Sequence, residues 1–343
     1  MLIYDLADPT ELAGFVRNVP LPQFDLINTV MPGENIDDID YRFTRGDLVD
    51  MDVATFRAFD AEAPIGTRPG LARVSGELPP ISKKMRLGEE QRLRLRQLQR
   101  SEGNVAGIAD QIFDDAGRLA VSVAGRLELA AGQSLDTGVL TINENGVLAQ
   151  IDYGFTAEQK PVLTGGDLFS DPGADVLGSL ALFVEQWTAR NGGEVPGYFL
   201  TSKRVRNSMV RNTVLRNYVF GGTTNSGAMP MPVSRLNDVL GDFDLPPVRT
   251  YDTVLPVGGT STRPIRDDRL IVMPAAAVGS TFYGVTAEAL ELVDARQIRA
   301  DLAPGMVAVN YKTFDSVATW TKVAAIATPI IKNPSRVTSA KVL

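Results

Sequence analysis

Arg269-Leu-Ile-Val-Met273, Phe282-Tyr-Gly-Val-Thr286 and Ala287-Glu-Ala-Leu-Glu-Leu-Val293 follow one another closely in this 343-residue sequence. The first stretch reads as a buried strand. An uncharged run broken by Pro274, Gly279 and Gly284 separates it from the third, a short acidic helix. Then come Pro304-Gly305 and an extended pattern from Met306 to Thr321 that predicts one long strand through Trp320. The ending is Ala327-Thr-Pro-Ile-Ile-Lys-Asn-Pro334 and Ala340-Lys-Val-Leu343. Nothing in this block sets an acid against a base around a polar centre, so it reads as architecture rather than chemistry.

The order and spacing of these pieces resemble the C-terminal signature of the lambda-type major capsid proteins of tailed bacteriophages. There the pattern runs Gly-Val-Thr-x-Glu-Ala, Pro-Gly, a tryptophan strand, and a proline, two apolar residues and an asparagine near the end. The resemblance implies an α+β chain of the Hong Kong 97-type phage capsid fold. It would comprise an N-terminal arm (1–48), an extended loop (49–84), a peripheral domain with a long spine helix (85–173), an axial domain (174–304), and a C-terminal strand returning to the peripheral domain with a tail (305–343). The implied function is a structural major capsid protein that self-assembles as pentamers and hexamers into an icosahedral head around double-stranded DNA. Implied partners are further copies of the chain, a separate scaffolding protein, a portal and a decoration protein, with DNA only enclosed. An encapsulin-type shell protein of the same fold is the first alternative, and the lambda-type ending argues against it. A carboxylate- or Mg²⁺-dependent enzyme is the second.

Composition narrows the chemistry. The chain has no cysteine and no histidine. Disulfides, thiolate nucleophiles, Ser-His-Asp and Cys-His arrangements, and the usual zinc sites are therefore excluded. No phosphate-loop or dinucleotide-binding fingerprint is present, so no cofactor is expected. The net charge of −7 opposes a main role in gripping phosphates and fits a container better than a wrapping protein. No signal-peptide pattern or bilayer-length apolar run occurs, so the expected setting is the host cytoplasm during assembly and then the virion, with no membrane partner.

Residues 1 to about 50 mix acidic residues with Pro9, Pro20, Pro22 and Pro32 and the anchors Phe15, Phe24 and Ile27, an arm laid over other surfaces. Asn35-Ile-Asp-Asp-Ile-Asp40 lacks the spacing of a calcium loop and reads as a solvated acidic turn. Extended runs at 53–58, 71–74 and 77–82 predict a polar two-stranded loop that must pack on something else. From Lys83 to Arg100 the chain is strongly basic. Leu87, Leu93, Leu95 and Leu98 suggest a helix that carries Arg86, Arg92, Arg94 and Arg96 with Glu89 and Glu90, the candidate subunit-interface residues. A solvated face competes with a patch pairing with a neighbour's acidic surface. DNA binding ranks third, because no aromatics interleave.

Asn104 is placed to cap a helix reaching about Ala131, roughly 40 Å long. Its apolar stripe is Ile108, Ile112, Ala116, Leu119, Val123 and Leu127. Asn145-Gly146 then predicts a tight hairpin between Val139–Ile142 and Val147–Tyr153. Beyond a Gly/Asp loop, an alternating α/β region is expected: a helix from Ala174 to Arg190, a strand at 197–201, helices at 203–212 and 234–240, and a strand at 247–252. Asp267-Asp268 reads as an exposed turn.

Overall fold

The computed structural model describes residues 8–22, 24–45, 56, 59, 72–91, 93–94, 97, 106–221, 231–300, 303–313, 315 and 318–343. Helix α1 (Pro9–Asn18) starts where Asp8 accepts the Thr10 N–H at 2.8 Å and Pro9 takes the first helical position. A π-helical turn over Leu26–Val30 leads to β1 (Gly33–Asn35). Strands β2 (Asp40–Arg45) and β3 (Ala72–Glu77) pair antiparallel, and β4 (Pro80–Leu87) follows. The described strands of the two-stranded loop are 40–45 and 72–77, and the expected run at 53–58 lies outside the described residues except at one position. Of that expected run only Phe56 is described, and it is not in a strand.

Helix α2 (Ala106–Thr137) is the long helix. Asn104 and the Ile108 side chain lie outside the described residues. Ile112, Ala116, Leu119, Val123 and Leu127 are all buried as the stripe requires. The stripe continues through Ala131 and Leu135, which is why the helix outruns the expected end by six residues, 131 to 137. Gly138 stops it: its φ of 73° is a left-handed helix terminus, and a Cβ there would sit 2.5 Å from the Phe155 ring. The hairpin comes next as expected, β5 (Val139–Glu144) and β6 (Val147–Asp152), with positive φ at Asn145 and Gly146.

The next region alternates. Helix α3 (Val176–Arg190) is capped by Asp175, and β7 (Tyr198–Thr201) leads to α4 (Lys203–Arg211), capped by Ser202. Asn212 ends α4, and its side chain accepts the N–H groups of Val214 and Leu215 to start α5 (Thr213–Phe220), a helix the sequence reading did not anticipate. Then come α6 (Val233–Asp242), β8 (Val248–Thr250), the hairpin β9 (Leu255–Val257) and β10 (Thr260–Thr262), and β11 (Arg269–Met273). Strand β12 (Gly279–Gly284) and α7 (Ala287–Asp294) complete the opening motif. The Thr286 hydroxyl caps α7 by accepting the Ala289 N–H.

The single strand expected over 306–321 is two: β13 (Val307–Thr313) and β14 (Ala318–Ile331), paired antiparallel with a turn at Asp315. Both segments read as extended sequence, so the pattern alone hides a reversal between them. Strand β15 (Thr338–Lys341) follows.

Two sheets organise the molecule. In the first, the neighbours run β1-β12-β14-β13, and β4 pairs with β14 as well. In the second the order is β15-β11-β7-β8. The face of α2 that carries the stripe packs, with α1, the π-turn and the first sheet, into one hydrophobic core. A second core joins α3 to α6 with β7, β8, β11 and β15. Residues 305–343 therefore serve both sheets: β13 and β14 complete the first, and β15 pairs with β11 in the second.

Candidate functional site

The basic stretch is not one helix. Residues 80–87 form β4, because Ile81, Met85 and Leu87 alternate with Ser82, Lys84 and Arg86, and this two-residue period wins over the wider leucine spacing. Helical residues follow at 89–91, 93–94 and 97. β4 lies along β14, with Arg86 opposite Trp320 and Lys84 opposite Lys322.

One face of this sheet carries a row of cations and aromatics. The Lys84 ammonium sits 4.5 Å from the Trp320 ring centroid, and the Arg86 guanidinium 5.9 Å away. Tyr311, opposite Trp320 on β13, stacks on it at 6.4 Å and 12°. The Trp320 indole N–H donates to Thr313 Oγ1 at 3.2 Å. Lys322 pairs with Glu288 of α7. Burial raises the Glu288 pKa, but the hydrogen bond and charge of Lys322 outweigh it and leave the carboxyl below its ordinary value. On the other face Lys83 reaches α2 and donates to Ser122 Oγ at 2.9 Å.

The candidate interface residues are thus spread over two elements. Arg86 lies in the aromatic row. Glu90 and Arg94 form an exposed i,i+4 ion pair at 2.6 Å, and Glu89 is exposed beside them. Arg92 and Arg96 lie outside the described residues. The aromatics thought missing from the basic stretch are supplied by β13 and β14, more than 200 residues later in the chain.

Two buried carboxylates escaped the sequence reading. Glu128 on α2 is fully buried and accepts from Leu26 N at 3.1 Å, Ile27 N at 3.0 Å and Tyr251 Oη at 2.7 Å. Desolvation pushes its pKa up against those three bonds, with Asp25 adding repulsion. Asp136, near the end of α2, accepts from Arg266 Nε and Nη2 at 2.7 and 3.0 Å, and Arg269 Nε lies 2.8 Å from its Oδ1. Their signal was present. Glu128 and Asp136 follow Leu127 and Leu135 directly, at positions the helical stripe turns inward. The expected exposed turn at Asp267-Asp268 is half-buried and belongs to an ion-pair network. Asp267 meets Arg204 at 3.2 Å, and Asp268 lies 3.9 Å from both Arg269 and Lys341.

The acidic run at 35–40 is a turn in which Asp38 accepts the Ile39 N–H at 2.8 Å. Among the described residues no group of carboxylates is placed to hold a metal ion. Among them, too, no helix is long and apolar enough to cross a membrane.

A family model described as "Phage major capsid protein E" matches residues 11–342. Among solved structures, the chain is similar to a prophage protein of E. coli CFT073 assigned as a capsid protein, at 13% identity and a TM-score of 0.62, covering 98% of this chain and 99% of that one. A phage-related protein of Bordetella bronchiseptica RB50 is similar at 13% identity and a TM-score of 0.61, covering 96% and 95%. The mature capsid of bacteriophage PhiM1 is similar at 8% identity and a TM-score of 0.51, covering 92% and 86%. No curated protein sequence matches the chain.

Proposed function

The chain belongs to the phage major capsid protein E family and is a structural capsid protein of Hong Kong 97-type fold, and from that premise we propose how it builds a shell. Copies pack head to tail into closed pentamers and hexamers, a heterologous geometry, and these rings tile an icosahedral head around double-stranded DNA. Residues 1–48 serve as the arm, 49–84 as the extended loop and 85–173, with α2, as the peripheral domain. Residues 174–304 form the axial domain, apart from β12, which pairs with β14 in the first sheet, and 305–343 tie the two domains together. A separate scaffolding protein, a portal and a decoration protein are the expected partners, and the chain performs no catalysis.

The observation that supports this reading best is the gathering of the chain into two large cores and a smaller one, with the β2–β3 ribbon bracketing residues 46–71. Fully exposed Phe56 and Phe59 lie within that segment, and a lone two-stranded ribbon gains little stability in water. A partner surface completes it. The −7 net charge suits enclosure of DNA without wrapping it. Negative-stain microscopy of the protein, expressed alone and with its scaffolding protein, tests the proposal. Closed shells of uniform diameter are expected, and a protein that stays monomeric under both conditions would refute it.

A further inference from the structure

Asparagine followed by glycine occurs twice in the chain, at Asn145-Gly146 and Asn191-Gly192. The dipeptide is intrinsically reactive. A glycine nitrogen, with no Cβ to crowd it, can close a ring onto the carbonyl carbon of the preceding side chain. The fold gives the two copies opposite surroundings.

Asn145 and Gly146 are the central residues of the β5–β6 turn, and both are exposed. Glu144 and Val147 close the ladder, so the Gly146 N–H between them has no backbone acceptor. Among the described residues the Asn145 side chain has no hydrogen-bond partner. Apart from its chain neighbours, nothing lies within 4 Å of where a Gly146 Cβ would stand. Nucleophile and electrophile are both uncovered, and water reaches them. Asn191 is the reverse case. It is 6% exposed at the end of α3, and its Nδ2 donates to Trp187 O at 2.8 Å and Ser335 O at 3.2 Å. Both amide hydrogens are engaged, and the carbonyl carbon cannot turn toward Gly192 without breaking those bonds.

We propose that Asn145 is a site of spontaneous covalent modification, converting to aspartate and isoaspartate in the folded protein while Asn191 stays intact. Hydroxide removes the Gly146 amide proton, and the nitrogen bonds to Asn145 Cγ. The Cγ–Nδ2 bond breaks, and Nδ2 leaves as ammonia with a proton from water. Water then opens the cyclic imide at either carbonyl. The balance is a water consumed and an ammonia released, with no oxidant or reductant. Each event adds a negative charge next to Glu144, the partner of Arg126 on α2 at 3.0 Å. The isoaspartyl product also lengthens the main chain of a turn whose φ values of 49° and 85° match the twist of its strands. The hairpin tip thus changes charge and shape with age, without an enzyme.

The test incubates the full chain in mildly alkaline buffer, where more of the amide is deprotonated, and maps its peptides by mass spectrometry over time. Deamidation at Asn145 should run at least about tenfold ahead of Asn191, the factor that breaking two buried hydrogen bonds imposes. Isoelectric focusing should show an acidic species accumulating in step, and Asn145→Gln should lack it. The same chain in urea supplies the reference, and there both asparagines should react at comparable rates. Conversion of Asn145 in urea but not in the folded protein would overturn the proposal, since the hairpin would then protect its own tip. Equal conversion of Asn145 and Asn191 in the folded protein would overturn it too, because the dipeptide rather than the fold would decide.

Discussion

Glu128 shows at the scale of one residue how the long helix is tied to the π-turn before it and to the segment after β8. Its carboxylate takes two backbone N–H groups from the arm and one hydroxyl from Tyr251. Because burial raises its pKa above the ordinary 4.5, the native state binds this proton more tightly than the unfolded chain does. Its contribution to stability is therefore greatest at low pH and declines as pH rises from 4.5 through the raised value. Glu128→Gln offers one acceptor oxygen to three donors. It should cost about 1–3 kcal/mol and remove this part of the pH dependence, as measured by urea denaturation between acid and neutral pH. At Asp136 the logic is charge rather than pH. Asp136→Ala leaves buried Arg269 with only Asp268, 3.9 Å away. A loss of about 3–5 kcal/mol is expected, and a fall in melting temperature of a few degrees or more would register it.

At the scale of the element, α2 was the part most open to reading, because a continuous stripe at helical spacing has one structural meaning. The Asn145-Gly146 hairpin was equally open, since only a tight turn needs two successive positive φ values. The basic run was misread, because alternation and helical spacing overlap over so few residues. The reversal within 306–321 escaped because both of its strands read as extended sequence with no Gly or Pro between them. The aromatic row could not be seen in advance, since register between strands more than 200 positions apart leaves no local trace. Glycines in α2 give a test with opposite signs. A Cβ at Gly117 would meet the Phe15 ring at an ordinary 3.5 Å, whereas one at Gly132 would meet the Pro264 backbone at 2.5 Å. Gly117→Ala should stabilise the protein by up to about 1 kcal/mol through helix propensity. Gly132→Ala should destabilise it despite the same gain, and thermal unfolding of the two variants side by side decides the matter.

For the whole molecule, the basic run and the acidic remainder bear on how copies meet. Reversing Arg86→Glu and Arg94→Glu should leave the subunit folded, since an exposed pair such as Glu90–Arg94 is worth only about 0–1 kcal/mol. The double variant should nevertheless assemble poorly at low salt, because each unfavourable contact recurs around every ring, and added salt should restore part of the yield. Equal assembly of variant and parent at low salt would make the run a solvated face. The sheet has a further consequence, in time rather than space. Strand β14 pairs with β4 in a register that sets Ile326 against Pro80, and β1 pairs with β12 across a comparable span. Contacts of such separation are slow to close, and the strand that unites β4, β12 and β13 leaves the ribosome more than 200 residues after β4. A nascent chain that has not reached β12 and β14 holds α2 but leaves β1 and β4 without their partners, so closure of the first sheet waits until residues 318–331 have been made. Synthesis itself then acts as a timer that keeps half-made subunits out of the growing shell.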